Sequence, residues 1–132
     1  MTTTAIDLLN SIRAHLAAFD LPPMWSMHVV ASFSGPNVTV QLARRESPEI
    51  ACALLTWADT LAEVTADAWR IPSGDCVHLS VLGQLPGGAS IRVYGGVVFT
   101  EHGIGADLAP EASKTVPLAA LREHATVGAV TI

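Results

Sequence analysis

Trp25-Ser26-Met27-His28-Val29-Val30-Ala31-Ser32-Phe33, then Ser34-Gly35-Pro36-Asn37, then Val38-Thr39-Val40-Gln41-Leu42 is the stretch from which the architecture follows. Trp25, Met27, Val29, Ala31 and Phe33 alternate with Ser26, His28, Val30 and Ser32, the period of a half-buried strand. The Ser-Gly-Pro-Asn segment supplies turn residues. Val38, Val40 and Leu42 then alternate with Thr39 and Gln41 on the return. The result is a hairpin with one apolar face, and that face needs a cover.

The cover precedes it. Ile6, Leu9, Ile12, Leu16 and Phe19 recur at three- and four-residue spacing, one face of a helix. Thr4 suits its N-cap, with Asp7 in the first turn where the helix dipole favours an acid. Leu21-Pro22-Pro23 ends it. A similar order returns downstream. Ser47-Pro48-Glu49 starts a second helix, with Ile50, Leu54, Trp57 or Ala58, Leu61 and Val64 on its buried face and an expected end near Thr65 or Asp67. Trp69-Arg70-Ile71 suggests a short edge strand. A second hairpin follows: residues 76–82, a turn through 83–88, and residues 90–94, with a bulge expected at Gly95-Gly96. Met27-His28-Val29 in the first hairpin is echoed by Val77-His78-Leu79 in the second.

The expected fold is therefore α+β, a two-layer sandwich of duplicated helix–hairpin units (αββ-αββ). The units span about 5–43 and 47–99, with a mostly antiparallel sheet of four or five strands. Residues 100–125 form a loop and a short third helix from Leu118 to His124, and the tail 126–132 is docked or frayed. All 132 residues make one domain, long enough to bury a core without staples.

Half of the residues are apolar and only 14% are charged, below the usual ~25%. Apolar surface in excess of what one core hides suggests a homodimer. The net charge of −5 and the scattering of the seven basic residues make nucleic-acid binding the least expected function. No apolar run approaches the ~18 residues of a membrane span. Met1-Thr2-Thr3-Thr4 has neither a basic nor an apolar leader region, and Cys52 and Cys76 form no CxxC pair, so a cytoplasmic, reduced protein is expected.

No catalytic motif survives inspection. Gly83-Gln84-Leu85-Pro86-Gly87-Gly88-Ala89-Ser90 has the spacing of a phosphate loop, but Ala89 replaces the lysine and a strand follows where a helix should open. Two constellations remain. Cys76 and His78 share one face of a strand, and with Ser80, Arg92 and Tyr94 they make the chemically most mixed surface of the chain. His28 occupies the matching position of the first hairpin. If the hairpins adjoin, two imidazoles and a thiolate suit Zn²⁺, while half-exposed residues facing solvent or a partner are the simpler reading. No cofactor is expected.

The second constellation is acidic. Asp59, Glu63 and Asp67 stand four apart, so they stack along the second helix, where like charges cost a few tenths of a kcal/mol per pair. The stripe suits a basic partner. A solvated face neutralised by Arg44, Arg45 or Arg70 is the simpler reading. Trp25, Trp57 and Trp69 are expected as core or interface anchors.

The segment Trp69-Arg70-Ile71-Pro72-Ser73-Gly74-Asp75-Cys76-Val77-His78-Leu79-Ser80-Val81, with Ile91-Arg92-Val93-Tyr94-Gly95-Gly96-Val97, resembles small uncharacterised proteins of actinobacteria that accompany phage-derived or conjugative elements. That resemblance implies an accessory role and assigns no activity. The element order is also similar in outline to acidic dimeric secretion chaperones, which put three strands between their first two helices where this chain has room for two. The function expected is a non-enzymatic binding or adaptor module, homodimeric, acting through the open sheet face or edge. The alternative is a small-ligand protein or enzyme with a pocket around His28, His78, Arg92 and Tyr94.

Overall fold

A computed structural model describes residues 4–31, 34–43 and 46–130. The elements are α1 (Ala5–Ala18), β1 (Met24–Val29), β2 (Val38–Leu42), α2 (Ser47–Ala58), β3 (Ala62–Arg70), β4 (Cys76–Gln84), β5 (Ser90–Val98), β6 (Ser113–Val116) and α3 (Leu118–Val130). The strands form one sheet in the order β1-β2-β5-β4-β3-β6. Every neighbouring pair is antiparallel except β2 and β5. β1 ends at Val29 and does not continue as a strand through Val30 and Ala31, as expected; Ser32, Phe33 and the Arg44-Arg45 pair lie outside the described residues.

The first helix starts as its sequence dictates. The Thr4 hydroxyl accepts the Asp7 N–H and the Asp7 carboxylate accepts the Thr4 N–H, both at 3.1 Å, a capping box. Those bonds hold the Asp7 carboxyl below its ordinary pKa. Its buried line differs from the expected one. Leu8, Ile12 and His15 face inward, whereas Ile6, Leu9 and Phe19 are exposed.

His15 is buried against α2. Its ring lies 6.0 Å from that of Trp57, and its Nε2 is 2.8 Å from the Thr60 hydroxyl. That hydroxyl donates to the Trp57 carbonyl, so Nε2 must carry the proton and Nδ1 is the bare acceptor.

The second helix ends at Ala58, not near Thr65 or Asp67. The Asp59 and Leu61 amides and the Thr60 hydroxyl close its last turn. Glu63 then takes φ +53°, and the β3–β4 register shifts between Ala62 and Thr65, a bulge at the strand entrance. From Val64 the chain alternates with period two, Ala66 and Ala68 inward and Thr65, Asp67 and Trp69 outward. The four-residue spacing of the acids concealed that strand. The acidic stripe is thereby corrected: Asp59 caps a helix, Glu63 sits at a bulge and Asp67 projects from a sheet.

The sheet has six strands rather than four or five. β3 is a full strand of nine residues, and β6, whose sequence suggests a helix start, pairs with it as the far edge. The duplicated αββ plan is not confirmed. Three consecutive antiparallel strands follow α2, so His78 lies on the second of them while His28 lies on the first strand after α1. Two hairpins related by a twofold axis normal to the sheet would also place β2 and β5 antiparallel, and they are parallel. The segment after His124 continues α3 to Val130.

All three helices lie on one face of the sheet. α2 covers β4 and β5 and packs on α3, and α1 touches β1. Val38, Val40, Leu54, Trp57, Val77, Leu79 and Val93 are fully buried there. No bulge interrupts β5. Gly95 answers another need: a Cβ there would lie 2.8 Å from the Ile50 side chain, so only glycine lets α2 approach this closely. Arg70 points to the same face. It donates to the carbonyls of Gly74 and Leu108 and lies 3.6 Å over the Phe99 ring, tying the 99–112 loop to the sheet.

Candidate binding face

No helix among the described residues covers the other face of the sheet. Period two sends Cys76, His78, Ser80 and Leu82 of β4 there, with Arg92, Tyr94, Gly96 and Val98 of β5 and Thr65, Asp67 and Trp69 of β3. All are exposed or half-exposed except Ser80. Thr39, Gln41, Ser26 and His28 extend the face across β2 and β1.

The sequence grouped Cys76, His78, Ser80, Arg92 and Tyr94 on this face, and the structure brings them together. Ser80 is the floor. Its hydroxyl accepts from Arg92 Nε at 3.1 Å and Nη2 at 3.0 Å, and no solvent reaches it. A serine held this way is a support for the guanidinium and is not placed for nucleophilic attack.

Above the floor runs a row of planar groups. The His78 ring meets Trp69 edge-on at 5.3 Å and stacks with Tyr94 at 5.2 Å. The Arg92 guanidinium lies 5.4 Å from the Tyr94 ring. Gly96 lies opposite His78, where a Cβ would meet the ring only at ordinary van der Waals distance, 3.6 Å. Burial, and next the Arg92 charge, hold the His78 imidazole below its ordinary pKa of 6.5. At neutral pH it is an uncharged aromatic surface with one donor and one acceptor.

Beside the row is a hollow of about 680 Å³. β2 ends at Leu42 while β5 runs on to Val98, leaving a notch beyond the Gln41–Tyr94 pair. Cys76, His78, Tyr94, Gly96 and Val98 form one side of the hollow, and Trp25, Gln41, Glu46, Ser47 and Glu49 the other. Trp25 stands at the bulge of β1 and is 62% exposed.

His28 does not join this group. It lies in the row of Thr39 and Arg92 on β1, with β2 and β5 between it and β4. Three strand spacings put β1 and β4 about 14 Å apart, so the postulated His28, Cys76 and His78 ligand set does not assemble. Among the described residues no three His, Cys, Asp or Glu side chains are placed to hold a metal ion. Of the residues expected around a pocket, His28, His78, Arg92 and Tyr94, this hollow takes in His78 and Tyr94.

Trp69 is the site residue that the sequence reading did not group with this face, although it placed Trp69 in a strand. Its alternation with Asp67 and Thr65 was the available signal. The Trp25 and Gln41 side of the hollow had no local signal, because it depends on how far one strand outruns its neighbour. No helix among the described residues is long and apolar enough to cross a membrane. No protein-family model, curated protein or solved structure is significantly similar to this chain.

Proposed function

We propose that this chain is a non-enzymatic binding module, homodimeric, that engages a protein partner through the open face of its sheet. One observation carries the reading: the helices take one face of a six-stranded sheet and leave the other bare, with a row of Trp69, His78, Tyr94 and Arg92 across its middle. Aromatic and arginine side chains dominate the energetic centres of protein interfaces, because they bury large area and keep a polar edge. Each member of the row contacts its neighbour, and the Trp69 indole N–H donates to the Glu111 carbonyl, contacts that limit the side-chain order lost when a partner docks.

A small-ligand site is the second reading, favoured by the hollow. Its volume lies within the ~300–1,000 Å³ of ligand sites, and its walls mix apolar and polar groups.

Native mass spectrometry of the protein purified from its own host separates the two. A protein partner retained by the wild type and lost from Tyr94→Ala and His78→Ala variants of unchanged melting temperature supports the binding-module reading. A small-molecule adduct lost from the same variants replaces it with the second. A partner retained by both variants contradicts the assignment of the face.

A further inference from the structure

The two edges of the sheet are built differently. At β6 the strand is four residues long, carries Lys114 paired with Asp107, and runs into Pro117. Short length, lysine and proline are the usual ways of keeping an edge from pairing with another chain. At β1 a proline, Pro23, also adjoins the strand, but the strand is six residues long and carries no lysine. No Asp, Glu, Lys or Arg occurs between Asp20 and Arg44. Trp25 is 62% and Val30 38% exposed at the two ends of the strand.

The hydrogen bonds of the hairpin fix which backbone groups this edge offers. Val30 N–H donates to the Asn37 carbonyl and Ala43 N–H to the Pro23 carbonyl, and His28 pairs with Thr39. In an antiparallel ladder alternate residues bond to the same neighbour. Ser26, His28 and Val30 therefore face β2, and the N–H and C=O groups of Met27 and Val29 point out of the sheet. β2 is the only strand paired with β1 among the described residues.

The first helix adds apolar surface beside that edge. Successive residues turn about 100° around the helix, so His15 and Ser11 lie on one flank of the buried line and Leu9 and Leu16 on the other. His15 contacts Trp57 of α2 and Thr60 just beyond its end. Since α2 covers the central strands and α1 touches β1, the flank bearing Leu16, Leu9 and Ile6 turns outward, over the free edge. Leu9 is 51% and Ile6 69% exposed.

We propose that a second copy of this chain pairs with the β1 edge, antiparallel, about a twofold axis at His28. Met27 of each copy then exchanges both main-chain hydrogen bonds with Val29 of the other. The two His28 side chains meet across the axis at a non-hydrogen-bonded position, with Cβ atoms about 4.5–5.5 Å apart. This register is self-complementary, as a twofold interface must be. Ile6, Leu9, Trp25 and Val30 expose roughly 400 Å² per protomer, half of the ~800 Å² of a standard interface. The paired strand edges and the flanks of α1 supply the remainder. The two open faces become one continuous surface.

This geometry rests on the homodimeric reading of the chain and gives it a specific contact. The test uses a Cys52→Ser, Cys76→Ser background, with His28→Cys on one edge and Thr115→Cys on the other. Light scattering is expected to give a dimer. Mild oxidation is expected to give a covalent dimer for His28→Cys and none for Thr115→Cys. A Leu9→Glu change is expected to weaken association at least about tenfold, or ~1.4 kcal/mol, without lowering the helical content. A monomer throughout the concentration series overturns both the homodimer and this geometry. A dimer that His28→Cys does not trap, or that Thr115→Cys does, overturns the geometry and leaves the homodimer standing.

Discussion

α1 and α2 are helices of 14 and 12 residues on the same face of the same sheet, yet they spend their apolar residues differently. α2 lies across the central strands and buries Ile50, Ala51, Leu54 and Trp57 almost completely. α1 lies at the rim, and of its large apolar residues only Leu8 and Ile12 are fully enclosed. Ile6 and Leu9 remain in solvent. The contrast separates two properties that a helical wheel merges. Periodicity gives the width of the apolar arc, and position over the sheet decides how much of that arc the chain itself can cover. At the rim the arc is wider than the cover, and the uncovered part borders a strand with nothing paired to its outer side among the described residues.

The contrast can be broken most forcefully at the centre of α2. Trp57→Ala removes a fully buried indole from the core and is expected to cost about 3–5 kcal/mol, enough to unfold a domain of ordinary stability. Chemical denaturation measures it. Leu9→Ala, a truncation on the outward flank of α1, is expected to stay within about 0.5 kcal/mol for the isolated protomer. Similar costs for the two would mean that α1 is packed as tightly as α2.

Two further substitutions probe the central region. Gly95→Ala forces a Cβ against Ile50 and is expected to destabilise by about 1–3 kcal/mol, the range for overpacking. Arg70→Ala frees two carbonyls and uncovers Phe99. About 2 kcal/mol is expected, together with increased proteolysis in the 99–112 loop.

Histidines set the pH response. Burial holds the His15 and His124 imidazoles below 6.5, and burial with the Arg92 charge does the same for His78. The unfolded chain therefore takes up protons near pH 6.5 while the folded chain still resists them, and stability falls as pH drops below that value toward the lower folded-state pKa values. The melting temperature is expected to decline between about pH 7.5 and 5.5. A His15→Leu variant should show a shallower decline, because the bare Nδ1 of His15 has no partner to receive a proton's charge. An unchanged slope would remove His15 from the explanation.

Much of the central region was legible in the sequence, and the reasons are local. Pro48 and the Ser47 beside it marked the start of α2, and Thr4 with Asp7 marked that of α1. Strict alternation in residues 76–82 and 90–94 is enough by itself to sort Cys76, His78, Ser80, Arg92 and Tyr94 onto one face. Two things were hidden. β3 was masked because Asp59, Glu63 and Asp67 imitate helical spacing across a helix end, a bulge and a strand. β6 was masked because Thr115-Val116-Pro117 resembles a cap. The parallel pairing of β2 with β5 had no local signal at all, since it joins residues about fifty positions apart. That pairing decides where the face lies open, why the hollow forms, and why His28 sits far from His78.

Amide hydrogen exchange of Met27 and Val29, followed from high to low protein concentration, tests the asymmetry of the two edges most directly. Slow exchange at high concentration that is lost on dilution and abolished by Leu9→Glu is the expected result, with the outer amides of β6 fast throughout. Fast exchange of Met27 and Val29 at every concentration would contradict pairing at β1 and leave its apolar rim without a second copy to cover it.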